Sequence, residues 1–262
     1  MLKRVILTLL TIIAVGCVGY IAGRWVFIRA FASTDLQLKP YVAQIEHFTL
    51  GAGNGGVVST ELVVRRRDGA TLRSFTLFKS DGTSVPAKRV DFPDGYTGMI
   101  IDSIRAKATG VNDARTISSR KYSVMNPPAQ CLYNGEVLDG QEALFGHTAF
   151  RIIRQARPDQ RDVVWRFPEY SCAVLQVFHQ TLGGDSAWQV IGGLRLVALV
   201  ETDPDPRAFT NWSDYEEMKP SDMKRKLLRN SGVTPEKCKE CFSDDPSDNG
   251  YLALPRPSGP HN

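Results

Sequence analysis

The sequence has few of the residues that most often carry enzyme chemistry. It contains only 4 histidines, and no two of them share a metal-binding spacing: His47, His147, His179 and His261. No serine lies in a nucleophile-elbow context, and no closely spaced carboxylate pair has apolar flanks. Catalytic groups from distant positions can converge in a fold, but nothing here supports that positively. We therefore expect a non-catalytic protein without a cofactor or a metal.

The sequence also lacks an excess of one charge. It has 32 lysines and arginines and 28 acidic residues, so the net charge is only +4. The basic clusters Arg65-Arg66-Arg67 and Lys224-Arg225-Lys226 are short, which is typical of solvated surface. We expect no nucleic-acid partner.

One long apolar run is present, at the N-terminus. The segment from Val5 to Gly23 carries no charge and is long enough to span a bilayer. Lys3 and Arg4 before it favour a cytoplasmic N-terminus. We interpret the run as a retained signal anchor, a transmembrane helix that would hold the chain in the inner membrane facing the periplasm.

Two other interpretations of the N-terminus remain open. Ala30-Phe31-Ala32 satisfies the small-x-small rule for signal-peptide cleavage, and Ala14-Val15-Gly16-Cys17 resembles a lipoprotein box. All three outcomes place the rest of the chain in the cell envelope or outside it. We therefore divide the chain into a targeting segment (1–32), a β-rich extracytoplasmic domain (33–220) and a short helix with a flexible tail (221–262).

Cysteine is scarce, with 5 residues, and four of them follow the targeting segment: Cys131, Cys172, Cys238 and Cys241. In an oxidising compartment such cysteines form disulfides, but four cysteines allow three pairings and the sequence does not choose among them. Cys238 and Cys241 have the spacing of a redox motif. Their charged, proline-rich flanks lack the setting that activates a thiol, so we favour a structural disulfide.

Turn dipeptides dominate the first half of the chain. Asparagine or aspartate precedes glycine at regular intervals, a pattern that favours tight hairpins between antiparallel strands: Asn54-Gly55, Asp68-Gly69, Asp81-Gly82 and Asp94-Gly95, then Asn134-Gly135 and Asp139-Gly140. The segments between them, such as Val58 to Val64, alternate with period two. The glycines from Gly51 to Gly56 match a dinucleotide fingerprint in form, but an alternating strand follows, so we predict a hairpin and no cofactor there.

The second half contains longer predicted strands: Thr148 to Gln155, Asp162 to Phe167, Cys172 to Thr181 and Trp188 to Glu201. Gly192-Gly193 interrupts the last of these and indicates a bulge or bend. The strand from Cys172 to Thr181 is apolar on both faces, so we expect a cover supplied by residues 36–47 or 105–129. Ser221 to Asn230 has the pattern of a short helix.

One hairpin carries a family resemblance. The stretch from Val163 to Gln176 holds a strand with an aromatic residue, a proline turn and a second strand. It resembles the central hairpin of the LolA and RseB class of periplasmic half-barrels, and Phe209 to Tyr215 and Met218 to Ser221 are similar to segments of uncharacterised bacterial secreted domains. The resemblance covers about residues 40–221. It implies a mainly β (α+β) fold, an antiparallel curved sheet or half-barrel with a few covering helices.

The resemblance also implies a cavity that accepts acyl chains or peptides. Our leading hypothesis is a membrane-tethered binding or sensor domain for an apolar ligand, such as a lipid or lipoprotein, or for a partner protein. The predicted ligand-binding residues are Trp165, Phe167, Leu175 and Val177, which would otherwise be ordinary core. The alternatives are a structural envelope component and a thiol-disulfide redox protein that uses Cys238 and Cys241.

Overall fold

The structure is a computed structural model that describes residues 20, 23, 26, 35–50, 56–78, 84–209 and 212–230. Most of the predicted membrane segment, together with Asn54-Gly55, Asp81-Gly82, Cys238, Cys241 and the tail, lies outside these residues. Among the residues described, we find no helix with both the length and the apolar character needed to cross a bilayer.

The described fold is mainly β, as the sequence predicts, with two short helices. The helices are α1 (Ala114–Met125) and α2 (Pro220–Asn230). The strands are β1 (Tyr41–Thr49), β2 (Gly56–Arg65), β3 (Thr71–Phe78), β4 (Ser84–Asp91), β5 (Tyr96–Ile101), β6 (Ala106–Val111), β7 (Glu136–Leu144), β8 (His147–Arg157), β9 (Gln160–Phe167), β10 (Ala173–Leu182), β11 (Trp188–Val200) and β12 (Glu216–Glu217).

All of these strands form one open sheet in the order β12-β6-β5-β4-β3-β2-β1-β11-β10-β9-β8-β7. The first meander, β1 to β6, and the second meander, β7 to β11, are joined where β1 pairs antiparallel with β11. The other neighbours are antiparallel as well, except that β12 pairs parallel with β6. The predicted strands of both halves are confirmed, as is the helix predicted from Ser221 to Asn230.

The strand register divides the first meander into two faces. Residues directly opposite each other on paired strands point to the same side of a sheet. Val63 lies opposite Arg73, Arg73 opposite Arg89, and Arg89 opposite Met99, and these side chains define what we call the inner face. Val64, Leu72 and Val90 are aligned in the same way and define the outer face.

The sheet curves around its inner face. Met99 on β5 and His179 on β10 line the same cavity, although five strands separate β5 from β10 in the sheet. In a flat sheet, strands that far apart would be about 29 Å from each other, at roughly 4.8 Å per strand. The cavity therefore lies on the concave side.

Apolar clusters pack against both faces of the sheet. The largest lies on the inner face, where Tyr41 and Ile45 of β1 meet residues of the second meander such as Tyr170 and Leu196. A second inner cluster forms where Met223 of α2 packs against the strands from β4 to β6. On the outer face, Phe209 covers Val64, Leu72 and their neighbours.

The chain after β11 therefore passes around the end of the sheet. Residues 206–209 and 212–215 lie on the outer face, where Phe209, Trp212 and Tyr215 pack. Glu216 then joins the sheet edge beside β6, since its backbone N–H donates to the Arg105 carbonyl (3.0 Å). Finally α2 lies on the inner face. This wrapping covers both sides of β5 and β6.

Two predictions from local patterns are wrong. Residues 36–47 do not supply a covering helix, because most of them belong to β1, where buried Tyr41, Ala43 and Ile45 alternate with less buried neighbours. Asp139-Gly140 is not a hairpin turn but lies inside β7, where the register with β8 shifts between Leu138 and Gly140. Asp68-Gly69 and Asp94-Gly95 do form turns between strands, with both glycines at positive φ.

The other predicted covering region, residues 105–129, contains β6 and then α1. Asp113 caps α1, because its carboxylate accepts a hydrogen bond from the Thr116 backbone N–H at 2.8 Å. That bond holds the pKa of Asp113 below its ordinary value. Ile117 of α1 lies against the β4–β5 turn at Gly95, where a Cβ atom would be 2.5 Å from Ile117 Cδ1. The helix therefore covers one end of the first meander.

Cys131 and Cys172 form a disulfide, one of the pairings that the sequence leaves open, with their Cα atoms 5.4 Å apart. Beside it lies an ion pair in which both side chains are less than a tenth exposed. Arg166 binds both carboxylate oxygens of Glu136, with Nη2 2.7 Å from Oε1, and also donates to the Cys131 carbonyl at 2.7 Å. These bonds hold the pKa of Glu136 below its ordinary value, although burial opposes them. The disulfide and the ion pair together fasten the outer side of the second meander.

Candidate functional site

A cavity with a volume of about 720 Å³ lies on the inner face. Side chains from the strands β1 to β5 and from β10 and β11 line it. Its wall is mostly apolar and includes Phe48, Val58, Phe75, Met99 and Leu194. Ligand sites for small molecules commonly have volumes of about 300–1,000 Å³ and apolar walls with a few polar groups. We call this space the concave cavity.

The cavity floor depends on the predicted glycine pair. Gly192 lies opposite His179 and Val190 opposite Gln180, so Ile191 has no partner on β10 and forms a bulge. A Cβ atom on Gly193 would be 2.0 Å from the Val177 carbonyl oxygen, and one on Gly192 would be 2.7 Å from the Phe48 carbonyl oxygen. No other residue type fits there. The predicted bulge is confirmed, and it lets β1, β10 and β11 approach closely beneath the cavity.

A charged cluster forms one side of the cavity. Glu61 is buried, and its two oxygens have different partners, His47 Nε2 at 3.0 Å and Arg73 Nε at 2.5 Å. Burial by itself would raise the pKa of Glu61, but the hydrogen bond from His47 and the charge of Arg73 outweigh it, so the pKa lies below its ordinary value. Glu61 is thus ionised at neutral pH, and it orients His47 and Arg73 at the cavity wall.

A second arginine lies in the same row on the inner face. Arg89 binds both carboxylate oxygens of Asp91, at 3.0 and 3.2 Å, and its side chain also lines the cavity. The formal charges of Glu61, Asp91, Arg73 and Arg89 cancel. The cavity therefore combines an apolar wall with a polar, electrically balanced rim, which suits a largely apolar ligand that has a polar end.

The four predicted ligand-binding residues occupy a different position. Trp165, Phe167 and Leu175 belong to the largest inner cluster, and Val177 is also buried; their exposed fractions are 6, 0, 1 and 8%. None of the four lines the cavities found among the described residues. Trp165 stacks edge-on with Phe178, whose ring in turn contacts Phe48 on the cavity wall. A direct ligand contact by these four residues stays a prediction.

The cavity residues carry little signal in the sequence. His47, Glu61, Arg73 and Arg89 come from four strands and are far apart in the chain, so no local motif joins them. One clue is present: Glu61 and Arg73 lie in strongly β-type segments, and each is followed two residues later by an apolar residue on the same face, Val63 or Phe75. Within the described part of the chain, no group of three or more histidines, cysteines and acidic residues is arranged to bind a metal.

Comparison with known proteins gives a likeness of fold. No family model matches the chain, and no curated protein matches it. Among solved structures, an uncharacterised conserved protein from Thermus thermophilus matches with 10% identity and a TM-score of 0.39, over 73% of this chain and 96% of that chain.

Two further solved structures belong to the class that the sequence resembles. The complex of MucA and MucB from Pseudomonas aeruginosa matches with 15% identity and a TM-score of 0.39, over 73% of this chain and 62% of that chain. A LolA superfamily protein from Nitrosomonas europaea matches with 7% identity and a TM-score of 0.30, over 71% and 97%. Proteins of the class that the sequence resembles are therefore among the solved structures that this chain matches.

Proposed function

We propose that this chain is a non-catalytic binding domain of the cell envelope that holds an apolar ligand in the concave cavity. The ligand is an acyl chain, as in a lipid or lipoprotein, or an apolar segment of a partner protein. The observation that carries the proposal is the cavity itself, which has an apolar wall and is filled by neither α1 nor α2. Burying an apolar chain contributes about 0.8 kcal/mol per CH₂ group, so a cavity of this size offers substantial binding energy.

The location in the envelope has separate support. A disulfide such as Cys131–Cys172 forms and persists in an oxidising compartment and is rare in the cytosol. The apolar run from Val5 to Gly23 supplies the route across the membrane and, in our proposal, the tether. The division into segments 1–32, 33–220 and 221–262 belongs to the same proposal.

The test is photo-crosslinking of the full chain in bacterial cells. A photoreactive amino acid at Val58 faces the concave cavity, and one at Leu62 on the same strand lies on the outer face and serves as the control. Both positions are about half exposed, so both should tolerate the change. We expect a discrete added mass, either a lipid or a defined protein, at Val58 and not at Leu62.

A cavity-filling variant sharpens the test. Leu194→Trp places a larger side chain in the cavity wall and should reduce crosslinking from Val58 at least fivefold while the protein stays folded. Equal labelling at Val58 and Leu62, or labelling at Val58 that Leu194→Trp leaves unchanged, would refute a ligand in this cavity. The structural alternative predicts no discrete adduct at either position.

A further inference from the structure

A second cavity, of about 510 Å³, lies between α1 and the end of the first meander. Its lining includes Ile117 and Val124 of α1 on one side and Leu36, Tyr41 and Phe92 on the other. We call it the helix cavity. It shares no lining residue with the concave cavity.

Arg65 gives the helix cavity an unusual charge. Its exposed fraction is 6%, and it lines the cavity, yet no carboxylate among the described residues forms an ion pair with it. A buried charge is costly unless it is paired. The ring of Tyr41 lies 4.6 Å from the guanidinium carbon, and burial lowers the pKa of Arg65. A negative partner would therefore stabilise this site.

The hydrogen bonds of Arg65 leave donors available. Nε and Nη2 donate to the Lys39 carbonyl at 3.2 and 2.8 Å, and Nη1 donates to the Tyr170 carbonyl at 2.8 Å. A guanidinium has five N–H groups, so these bonds leave one on each Nη for a further acceptor. Carboxylate and phosphate oxygens are the acceptors that a guanidinium binds most strongly.

The surrounding charges favour an anion as well. Arg120 and Lys121 of α1 line the cavity together with Arg65, and Asp91, the one acidic residue in the described part of the lining, already binds Arg89 through both of its oxygens. The exposed Arg120 thus adds to Arg65 a positive charge that Asp91 does not balance. The remaining wall is mostly apolar.

From these observations we infer that the helix cavity is a second binding site, which takes a small organic anion with an apolar body and a carboxylate or phosphate group bound by Arg65. Arg120 and Lys121 add attraction at the cavity wall. The apolar body packs against Leu36, Phe92 and Ile117. This site differs in charge from the concave cavity, whose arginines are each matched by an acidic partner.

The test measures binding of 4-fluorobenzoate by fluorine NMR to the full chain in lipid nanodiscs, with empty nanodiscs as the blank. The uncharged isostere 4-fluorobenzamide is the matched control ligand. We expect the benzoate to bind at least tenfold more tightly than the amide, and the difference to shrink as the salt concentration rises. Phenyl phosphate and inorganic phosphate then show which anionic group is preferred and whether the apolar body is needed.

Variants locate the site. Arg65→Met should weaken benzoate binding at least tenfold, the exposed Arg120→Gln about threefold, and Ile117→Trp should block it by filling the cavity. Val58→Trp, which fills the concave cavity instead, should leave benzoate binding unchanged. If Arg65→Met does not fold, Arg120→Gln and Ile117→Trp show whether benzoate binds in the helix cavity.

Two results would overturn the inference. One is benzoate binding no tighter than benzamide binding. The other is benzoate binding that survives the folded variants of the helix cavity but is lost in Val58→Trp, which would place the anion in the concave cavity. Neither result bears on the crosslinking at Val58, so this inference and the proposed function fail independently.

Discussion

The two meanders differ in where their ion pairs lie. In the second meander, Glu136 and Arg166 are buried, bind each other through two hydrogen bonds and adjoin a disulfide. In the first meander, Arg73 and Arg89 stand beside open space, and their acidic partners hold them at a cavity wall. A closed network rigidifies a fold, whereas charges at a cavity wall remain available to a ligand. We call the closed network of the second meander the scaffold; most of the charged side chains at the wall of the concave cavity belong to the first meander, while β10 and β11 complete that wall.

The largest expected effect concerns the disulfide. Replacing both Cys131 and Cys172 by alanine should lower the free energy of unfolding by about 4 kcal/mol, because the bond closes a loop across 41 residues and restricts the unfolded chain. Urea unfolding of the oxidised protein and the double variant measures the loss. If the folded variant still crosslinks at Val58, ligand binding in the concave cavity does not depend on the disulfide of the second meander. A loss below 1 kcal/mol would show that the second meander does not depend on this bond.

The next effect concerns the buried ion pair. Glu136→Gln should cost about 3 kcal/mol, because it leaves the Arg166 charge buried with only neutral partners. The control is Asp139→Asn, which breaks the ion pair with Arg151 on the neighbouring strand, where both side chains are about two fifths exposed. That loss should stay below about 1 kcal/mol. Equal losses in the two variants would contradict the view that burial distinguishes this pair.

Much of the fold could be predicted from the sequence, because strands and turns leave local signals. Alternation located β2 and the long strands of the second meander, and aspartate–glycine pairs located the turns at Gly69 and Gly95. Local signals failed where pairing decides the outcome. β7 continues through Asp139-Gly140 because β8 supplies a partner on both sides of the shift in register.

The site was harder to predict for the same physical reason. An aromatic residue in a strand, such as Trp165, indicates burial, but only the paired strands decide whether it faces other side chains or open space. His47, Glu61 and Arg73 meet because β2 lies between β1 and β3, a relation that no spacing along the chain encodes. The disulfide was predicted by residue type and compartment, while its pairing required the structure.

The glycine beneath the cavity links the two meanders and should have an intermediate effect. Gly193→Ala should lower the free energy of unfolding by about 1–3 kcal/mol, since its Cβ atom would overlap the Val177 carbonyl and push β10 from β11. Gly184→Ala is the matched control, because a Cβ atom there meets nothing within 4 Å. Thermal unfolding and crosslinking at Val58 together show whether the scaffold shapes the cavity. A Gly193→Ala variant with unchanged stability and unchanged crosslinking would show that the close approach of β10 and β11 at this glycine does not shape the cavity.

The smallest expected effect lies in the cavity rim. Glu61→Gln should cost only about 1 kcal/mol at pH 7, because its partners His47 and Arg73 are partly exposed and solvent screens their charges. The pKa of Glu61 is lower in the folded protein than in the unfolded chain, so its contribution is present above the ordinary carboxyl pKa and is lost as the pH falls through the folded value.

The free energy of unfolding of the native protein and of Glu61→Gln, measured by urea from pH 7 to pH 3, separates this contribution from those of the other carboxyl groups. The two curves should converge at the acid end, because Glu61 is then neutral in the native protein, as the glutamine is in the variant. Curves that stay parallel down to pH 3 would mean that the ionised Glu61 carboxylate does not stabilise the fold through His47 and Arg73. The charged cavity wall of the first meander would then contribute nothing to stability, in contrast to the buried ion pair of the second meander.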